Sequence, residues 1–201
     1  MIKNTRLTVL LATGFCLAIA GSASAATKKA PAPAAPPVNA GPATGGPEFG
    51  EPNLADVPVA SGQRARLLRS GKAAAPEGAP EQVKEAIWAA NRIIGKPYRY
   101  GGGHAKLEDS GYDCSGTVSY ALRGAGLLKS ALDSSSFMRW GKRGKGEWIT
   151  VYTNPGHAYV VIAGLRLDTS AADDPRGGKG PRWRPLRKSD RGFAARSPVG
   201  F

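Results

Sequence analysis

The sequence predicts an α+β domain, helices packed on an antiparallel sheet, preceded by a disordered Pro/Ala/Gly-rich N-terminal segment. Three observations predict it. Helix-period apolar residues recur between Pro80 and Gly126, β-branched and aromatic runs split by turn residues follow between Glu147 and Ser170, and neither pattern occurs from Ala26 to about Gly50. Helices first and a meander after them is the order of an α+β layout.

The N-terminal residues 1–25 open with Lys3 and Arg6, run apolar from Leu7 to Ala20 and close on Ala23-Ser24-Ala25. That is the form of an export signal with a small-x-small cleavage site, and its apolar run is short for a membrane span. A lipoprotein anchored through Cys16 is the alternative; Phe15 stands where such a signal needs a small residue. No later run is long and apolar enough to span a membrane, so the expected location is secreted or in the cell envelope, outside the cytoplasm. Residues 26–79 read as a linker or spacer. Ala30-Pro31-Ala32-Pro33-Ala34-Ala35-Pro36-Pro37 favours extended, polyproline-like backbone, and 51–79 reads as mostly irregular, with a short helix possible over Arg64–Arg69.

Organised sequence starts near Pro80 and leaves about 120 residues, enough for one core. Val83, Ile87, Ala90 and Ile94 fall on one helical stripe, with Pro80 at its start, acidic residues in its first turn and Gly95-Lys96-Pro97 at its stop. A second helix is predicted from Cys114 to about Gly124, burying Val118, Ala121, Leu122 and Ala125. Strands are predicted over Glu147–Thr153, His157–Ala163 and Leu165–Ser170, joined by Asn154-Pro155-Gly156 and by Gly164. Alternation puts Leu165, Leu167 and Thr169 on one face and Arg166, Asp168 and Ser170 on the other.

The formal net charge is +13, of which Lys3 and Arg6 belong to the export signal. Such a balance suits anionic surfaces, and for an exported chain the expected partners are cell-wall polymers or phospholipid headgroups. No zinc-finger, basic-zipper or RNP-like pattern points to nucleic acid. The plainer alternative is that the charge keeps the chain soluble. The basic tail, with Arg182-Trp183-Arg184, Arg187-Lys188, Arg191 and Arg196, reads either as a wall-binding strip with Trp183 as an aromatic platform or as an extension with Trp183 and Phe193 packed in the core.

Once Cys16 leaves with the signal, Cys114 is the one cysteine, so no internal disulfide can use it. Its polar setting, Gly111-Tyr112-Asp113-Cys114-Ser115-Gly116 at a helix start, is where a reactive thiolate is expected, because unsatisfied N–H groups and the helix dipole lower a thiol pKa there. A cysteine nucleophile needs a base, and the chain has two histidines, His104 and His157. His157 opens a strand after a turn and is the stronger candidate, since regular elements hold a side chain better than the Gly101-Gly102-Gly103 loop before His104. Asp168, on the adjacent strand, is placed to orient His157, with Thr169 as fallback if the register slips. The thiol and two separated histidines make no known metal ligand set, and no cofactor is implied.

Pro97-Tyr98-Arg99-Tyr100-Gly101-Gly102, then Asp113-Cys114-Ser115-Gly116, then Gly156-His157, resemble the NlpC/P60 papain-like cysteine peptidases over about Pro80–Ser170. The resemblance implies a papain-like NlpC/P60 fold and hydrolysis of peptidoglycan stem peptides, commonly between γ-D-glutamate and a diamino acid. It implies Cys114 as nucleophile, His157 as base and Asp168 where the family most often has His, Asn or Gln. Tyr98 matches a tyrosine beside the cysteine, and Asp113 and Ser115 match residues that hold the stem peptide's amino end in some members. The basic stretch Lys129–Gly146 and residues 171–201 depart from the family pattern. Another amidase or acyltransferase on the same scaffold, and a non-catalytic wall-binding protein, are the alternatives.

Overall fold

The computed structural model describes residues 49–50 and 57–201; the expected export signal and most of the Pro/Ala/Gly-rich segment lie outside the described residues. Two helices read from the sequence form where expected. Helix α1 (Glu81–Ile93) starts after Pro80, carries Glu81 in its first turn and buries Val83, Ala86, Ile87 and Ala90. The pre-set φ of proline and the missing N–H cost nothing at a helix start. Helix α2 (Cys114–Gly124) has Asp113 as its N-cap, whose side chain accepts a hydrogen bond from the Gly116 N–H at 2.7 Å. Val118, Ala121 and Leu122 are buried on it, and Ala125 follows them into the core. The short α3 (Ser134–Phe137), capped by Asp133, lies in the basic stretch for which no element was read.

The meander also forms as expected. Strands β5 (Ile149–Asn154), β6 (His157–Ile162) and β7 (Leu165–Asp168) pair antiparallel, with Asn154 opposite His157 and Val160 opposite Leu167. They belong to a six-stranded sheet ordered β4-β9-β5-β6-β7-β8, completed by β4 (Lys142–Arg143), β8 (Arg182–Arg184) and β9 (Ala194–Ser197). All its pairings are antiparallel. Helix α1 packs on α2, and α2 lies on β6 and β7. That stack sets the start of α2 beside the start of β6.

Two stretches depart from the sequence reading. Residues 57–79, expected as mostly irregular with a helix possible over Arg64–Arg69, hold three short strands instead: β1 (Val59–Ala60), β2 (Arg66–Leu67) and β3 (Ala73–Pro76). They form a sheet ordered β1-β3-β2. β3 is buried along its whole length and packs on α1. A run of Ala buried on both faces has no alternation to read, which is why its burial escaped a period-based reading. The second stretch is the tail. Trp183 is 1% exposed and pairs with Leu167 across β8 and β7, so it is core and not an aromatic platform for ligands.

One side chain ties these layers together. The Asn91 Oδ1 on α1 accepts hydrogen bonds from the Ala73 N–H and from the Trp183 Nε1–H, each at 2.8 Å, while its Nδ2 donates to the Ala73 carbonyl at 2.9 Å. Asn91→Ala leaves three buried polar groups unpaired and is expected to destabilise the fold by about 3 kcal/mol. Urea unfolding measures this as a lower midpoint with an unchanged slope. Trp183→Phe, which removes only one of the three bonds, is expected to cost less than half as much.

Candidate functional site

The site is built where two chain elements begin. Cys114 is the first residue of α2 and His157 the first of β6. Asp113, as the cap of α2, fixes the helix start: one carboxylate oxygen takes the Gly116 N–H, the other the Gly101 N–H at 3.0 Å, and the Asp113 N–H donates to the Gly102 carbonyl at 3.3 Å. This folds the Gly101–Gly103 loop onto the helix. A Cβ on Gly116 would stand 2.1 Å from the Gly102 carbonyl oxygen, so the glycine after Ser115 is required by close packing against that loop. Tyr98 is brought in by its bridge to Tyr112 and remains 43% exposed.

His157 is held by the turn before it. The Asn154 side-chain oxygen accepts from the Gly156 N–H at 3.0 Å and from the His157 N–H at 2.9 Å. Extending the β6–β7 register by one pair sets Asp168 against Tyr159, with His157 its diagonal neighbour on the same face. His157 Nε2 meets Asp168 Oδ1 at 2.9 Å. The same imidazole hydrogen-bonds the Cys114 side chain, which leaves Nδ1 for the sulfur. The structure therefore brings Cys114, His157 and Asp168 into one chain of contacts. Thr169 does not take the place of Asp168; it lines a neighbouring cavity.

Electrostatics follow from these contacts. Burial pushes the Cys114 thiol up, but the His157 hydrogen bond, the Ala158 N–H and the imidazolium charge outweigh it and bring the thiol below its ordinary value of 9.0. For His157, burial pushes down, and the bonds to Asp168 and Cys114 outweigh it, raising the imidazole to about 9. Both shifts favour a thiolate facing an imidazolium. Asp168 is wholly buried and also accepts the Ser170 N–H at 2.8 Å. Its second oxygen is ion-paired with Arg166 at 3.3 Å and Arg187 at 3.7 Å. Phe193 stands edge-on to the His157 ring with centroids 6.2 Å apart, and Arg187 lies over Phe193.

His104, the second histidine, is also in the neighbourhood but faces other partners. Its Nε2 lies 3.0 Å from Asp113 Oδ1 and 3.3 Å from Ser115 Oγ. The Asp113 hydrogen bond raises its pKa against the opposing effect of burial. Two cavities flank the reactive pair. One, of about 490 Å³, is bounded by Tyr98, Tyr100, His104, Cys114 and Asp133. The other, of about 390 Å³, is bounded by Tyr98, His157, Ser170 and Lys179. A thiolate at a helix start, an imidazolium beside it and an open cavity on each side can attack an extended acyl compound and protonate what leaves.

Two solved structures are similar to this chain. One, the peptidoglycan hydrolase RipB from Mycobacterium tuberculosis, is 22% identical with a TM-score of 0.47 over 63% of this chain and 75% of its own. The other, an NlpC/P60 family protein from Bacillus cereus, is 17% identical with a TM-score of 0.44 over 58% of this chain and 40% of its own. No family model matches the sequence. No curated protein matches it either.

Arg187 and Phe193 were missed by the sequence reading because they arrive from the tail, with no motif to connect them to His157. Arg166 had a signal: alternation already placed it on the face of Asp168. Its burial was invisible because arginine ordinarily reads as surface.

The alkylation rate of Cys114 by iodoacetamide should rise through an inflection below the ordinary thiol value and change again near pH 9, where the imidazolium loses its proton. Asp168→Asn removes a carboxylate that favours the charged ring, so the upper inflection moves to lower pH. His157→Ala moves the lower inflection upward, towards a free thiol. A profile identical in all three proteins would show that the contacts do not tune the thiol.

Proposed function

We propose that this chain is an exported cysteine endopeptidase of the NlpC/P60 kind that hydrolyses amide bonds in peptidoglycan stem peptides. The observation that carries the chemistry is the sharing of one imidazole between the Cys114 sulfur and the Asp168 carboxylate. The substrate class rests on the resemblance carried by Pro97–Gly102, Asp113–Gly116 and Gly156–His157, and the bond favoured by that resemblance joins γ-D-glutamate to a diamino acid.

The roles follow from position. The Cys114 thiolate attacks the amide carbonyl carbon and forms the C–S bond. The carbonyl oxygen becomes an oxyanion, for which the Cys114 backbone N–H and the Tyr98 hydroxyl are the proposed donors. The His157 imidazolium gives its proton to the amide nitrogen, the C–N bond breaks, and an amine leaves. Water then attacks the thioester, giving its proton to the neutral imidazole, and the C–S bond breaks to release the carboxylic acid. Asp168 keeps the ring oriented and favours its charged form.

Asp113 and Ser115, which the resemblance gives to the stem peptide's amino end, both line the 490 Å³ cavity beside Cys114. Asp113 accepts from two backbone N–H groups and faces His104 and Ser115 as well. It thereby fixes the helix start and the glycine loop, and as part of the cavity lining it is also placed to receive the peptide's amino end.

Wild-type protein incubated with a purified γ-D-glutamyl-diamino acid muropeptide should release the diamino acid fragment. Cys114→Ala and His157→Ala should each lower kcat/KM by at least about a thousandfold, and Asp168→Asn by less. Wild-type and Cys114→Ala proteins that are equally inert while both bind cell-wall sacculi would sink the enzymatic reading and leave a binding protein.

A further inference from the structure

The tail that the sequence could not place builds one wall of the cleft. After β7 the chain runs through residues 169–181 and back to β8, and this loop is fixed at several points. The fully buried Arg184 donates to the Asp168, Gly177 and Gly178 carbonyls and pairs with Asp174 at 2.7 Å. The Gly180 N–H donates to the Thr169 carbonyl at 3.1 Å, and the Gly95 N–H donates to the Pro181 carbonyl at 3.2 Å. Gly180 has φ +92°, and a Cβ there would stand 2.4 Å from the Lys96 carbonyl oxygen. The loop is thus locked against the segment that carries Tyr98. Lys179 sits at its crest, exposed, on the rim of the 390 Å³ cavity that His157 also lines.

The two cavities differ in charge and in which reacting group they meet. Cys114 borders the larger one, with Asp113 and Asp133 as its carboxylates. His157 borders the smaller one, where Lys179 is the lone permanent charge among the lining residues. The acyl group must rest on the sulfur, and the leaving amine carries the nitrogen that His157 protonates as the C–N bond breaks. The smaller cavity is therefore the amine side.

Resting on the hydrolase reading above, we propose that Lys179 is a specificity residue that receives a free carboxylate on the amine-side residue of the substrate. The substrate class is a peptide whose leaving residue is an acidic diamino acid, not its amidated form. An ammonium on a rigid loop beside an imidazolium makes that cavity cationic, and a carboxylate entering it gains a charge-assisted contact that a carboxamide lacks. The locked loop lowers the ordering cost of that contact.

The test uses two stem peptides identical except that the carboxylates of the leaving diamino acid are all free or all amidated. Wild type is expected to favour the acid by about tenfold in kcat/KM, the scale of one charge-assisted contact. Lys179→Met should bring the two peptides within about twofold, the scale of a screened surface charge, and Lys179→Glu should reverse the order. Equal turnover of both by wild type, or an unchanged preference in Lys179→Met, overturns the proposal and leaves the hydrolase reading standing. If neither peptide is cut, the hydrolase reading fails, and calorimetric affinities of Cys114→Ala for the same peptides decide the carboxylate site. Tighter binding of the acid that disappears in Cys114→Ala/Lys179→Met supports it; equal affinities refute it.

Discussion

The structure around the candidate site depends on one buried carboxylate. Asp168 is removed from water at the end of β7, and an uncompensated charge in such a place would cost several kcal/mol. It is compensated from three directions: by His157, by the Ser170 N–H, and by the guanidinium groups of Arg166 and Arg187. Each compensating group is itself a constraint. Arg166 is fully buried, and burial lowers its pKa even beside Asp168, so the cation is as dependent on the carboxylate as the carboxylate is on it. Its Nη2 is anchored on the Ala172 carbonyl at 2.7 Å, which ties the pair to the loop after β7. The meander alone would not hold this arrangement. The tail, through Arg184 and Arg187, completes it.

Cys114 and His157 meet because both stand at the start of a regular element. A helix start offers N–H groups and partial positive charge, and a strand start next to a tight turn lets a ring lean beyond the sheet edge. Neither residue could move along its element by one position without losing the other. The close approach of Gly102 to Gly116 fixes the helix start, and the Asn154 turn fixes the strand start. The Cys114–His157 pair therefore owes its geometry to the two caps as much as to the two side chains themselves.

What was legible in the sequence follows from how each element buries its residues. α1 and α2 carry their apolar residues at helical spacing, although α2 is buried nearly all round, and β5 to β7 carry the β-branched content of strands, so these were readable. Cys114, His157 and Asp168 were readable because two sit at turn or cap signals and the third follows from alternation. β8 and β9 were not. They are short, and their sequences Arg182-Trp183-Arg184 and Ala194-Ala195-Arg196-Ser197 carry arginines that a composition argument sends to the surface. Arg184 and Arg196 are nonetheless buried, because loop carbonyls receive them: Gly177 and Gly178 in the loop just before β8 for Arg184, and the distant Trp140 and Gly141 for Arg196. Such partners are backbone carbonyls of irregular loops, near in sequence for Arg184 and far for Arg196, and a carbonyl leaves no trace in residue type. β3 was lost for the opposite reason, since three alanines and a proline buried along the whole strand have no contrast.

The +13 charge takes on a different meaning once burial is known. Part of it, at Arg166 and Arg184, is internal and spent on Asp168, Asp174 and loop carbonyls. Those arginines are turned inward, and they hold the loop after β7. The loop then places Lys179 in the lining of the cavity that His157 borders, while the carboxylates of Asp113 and Asp133 line the other cavity. A shared scaffold fixes the reacting pair but says little about what is cut. Under the proposed reading, the selective part belongs to residues after the meander, where buried arginines provide rigidity and Lys179 provides the sign of the charge.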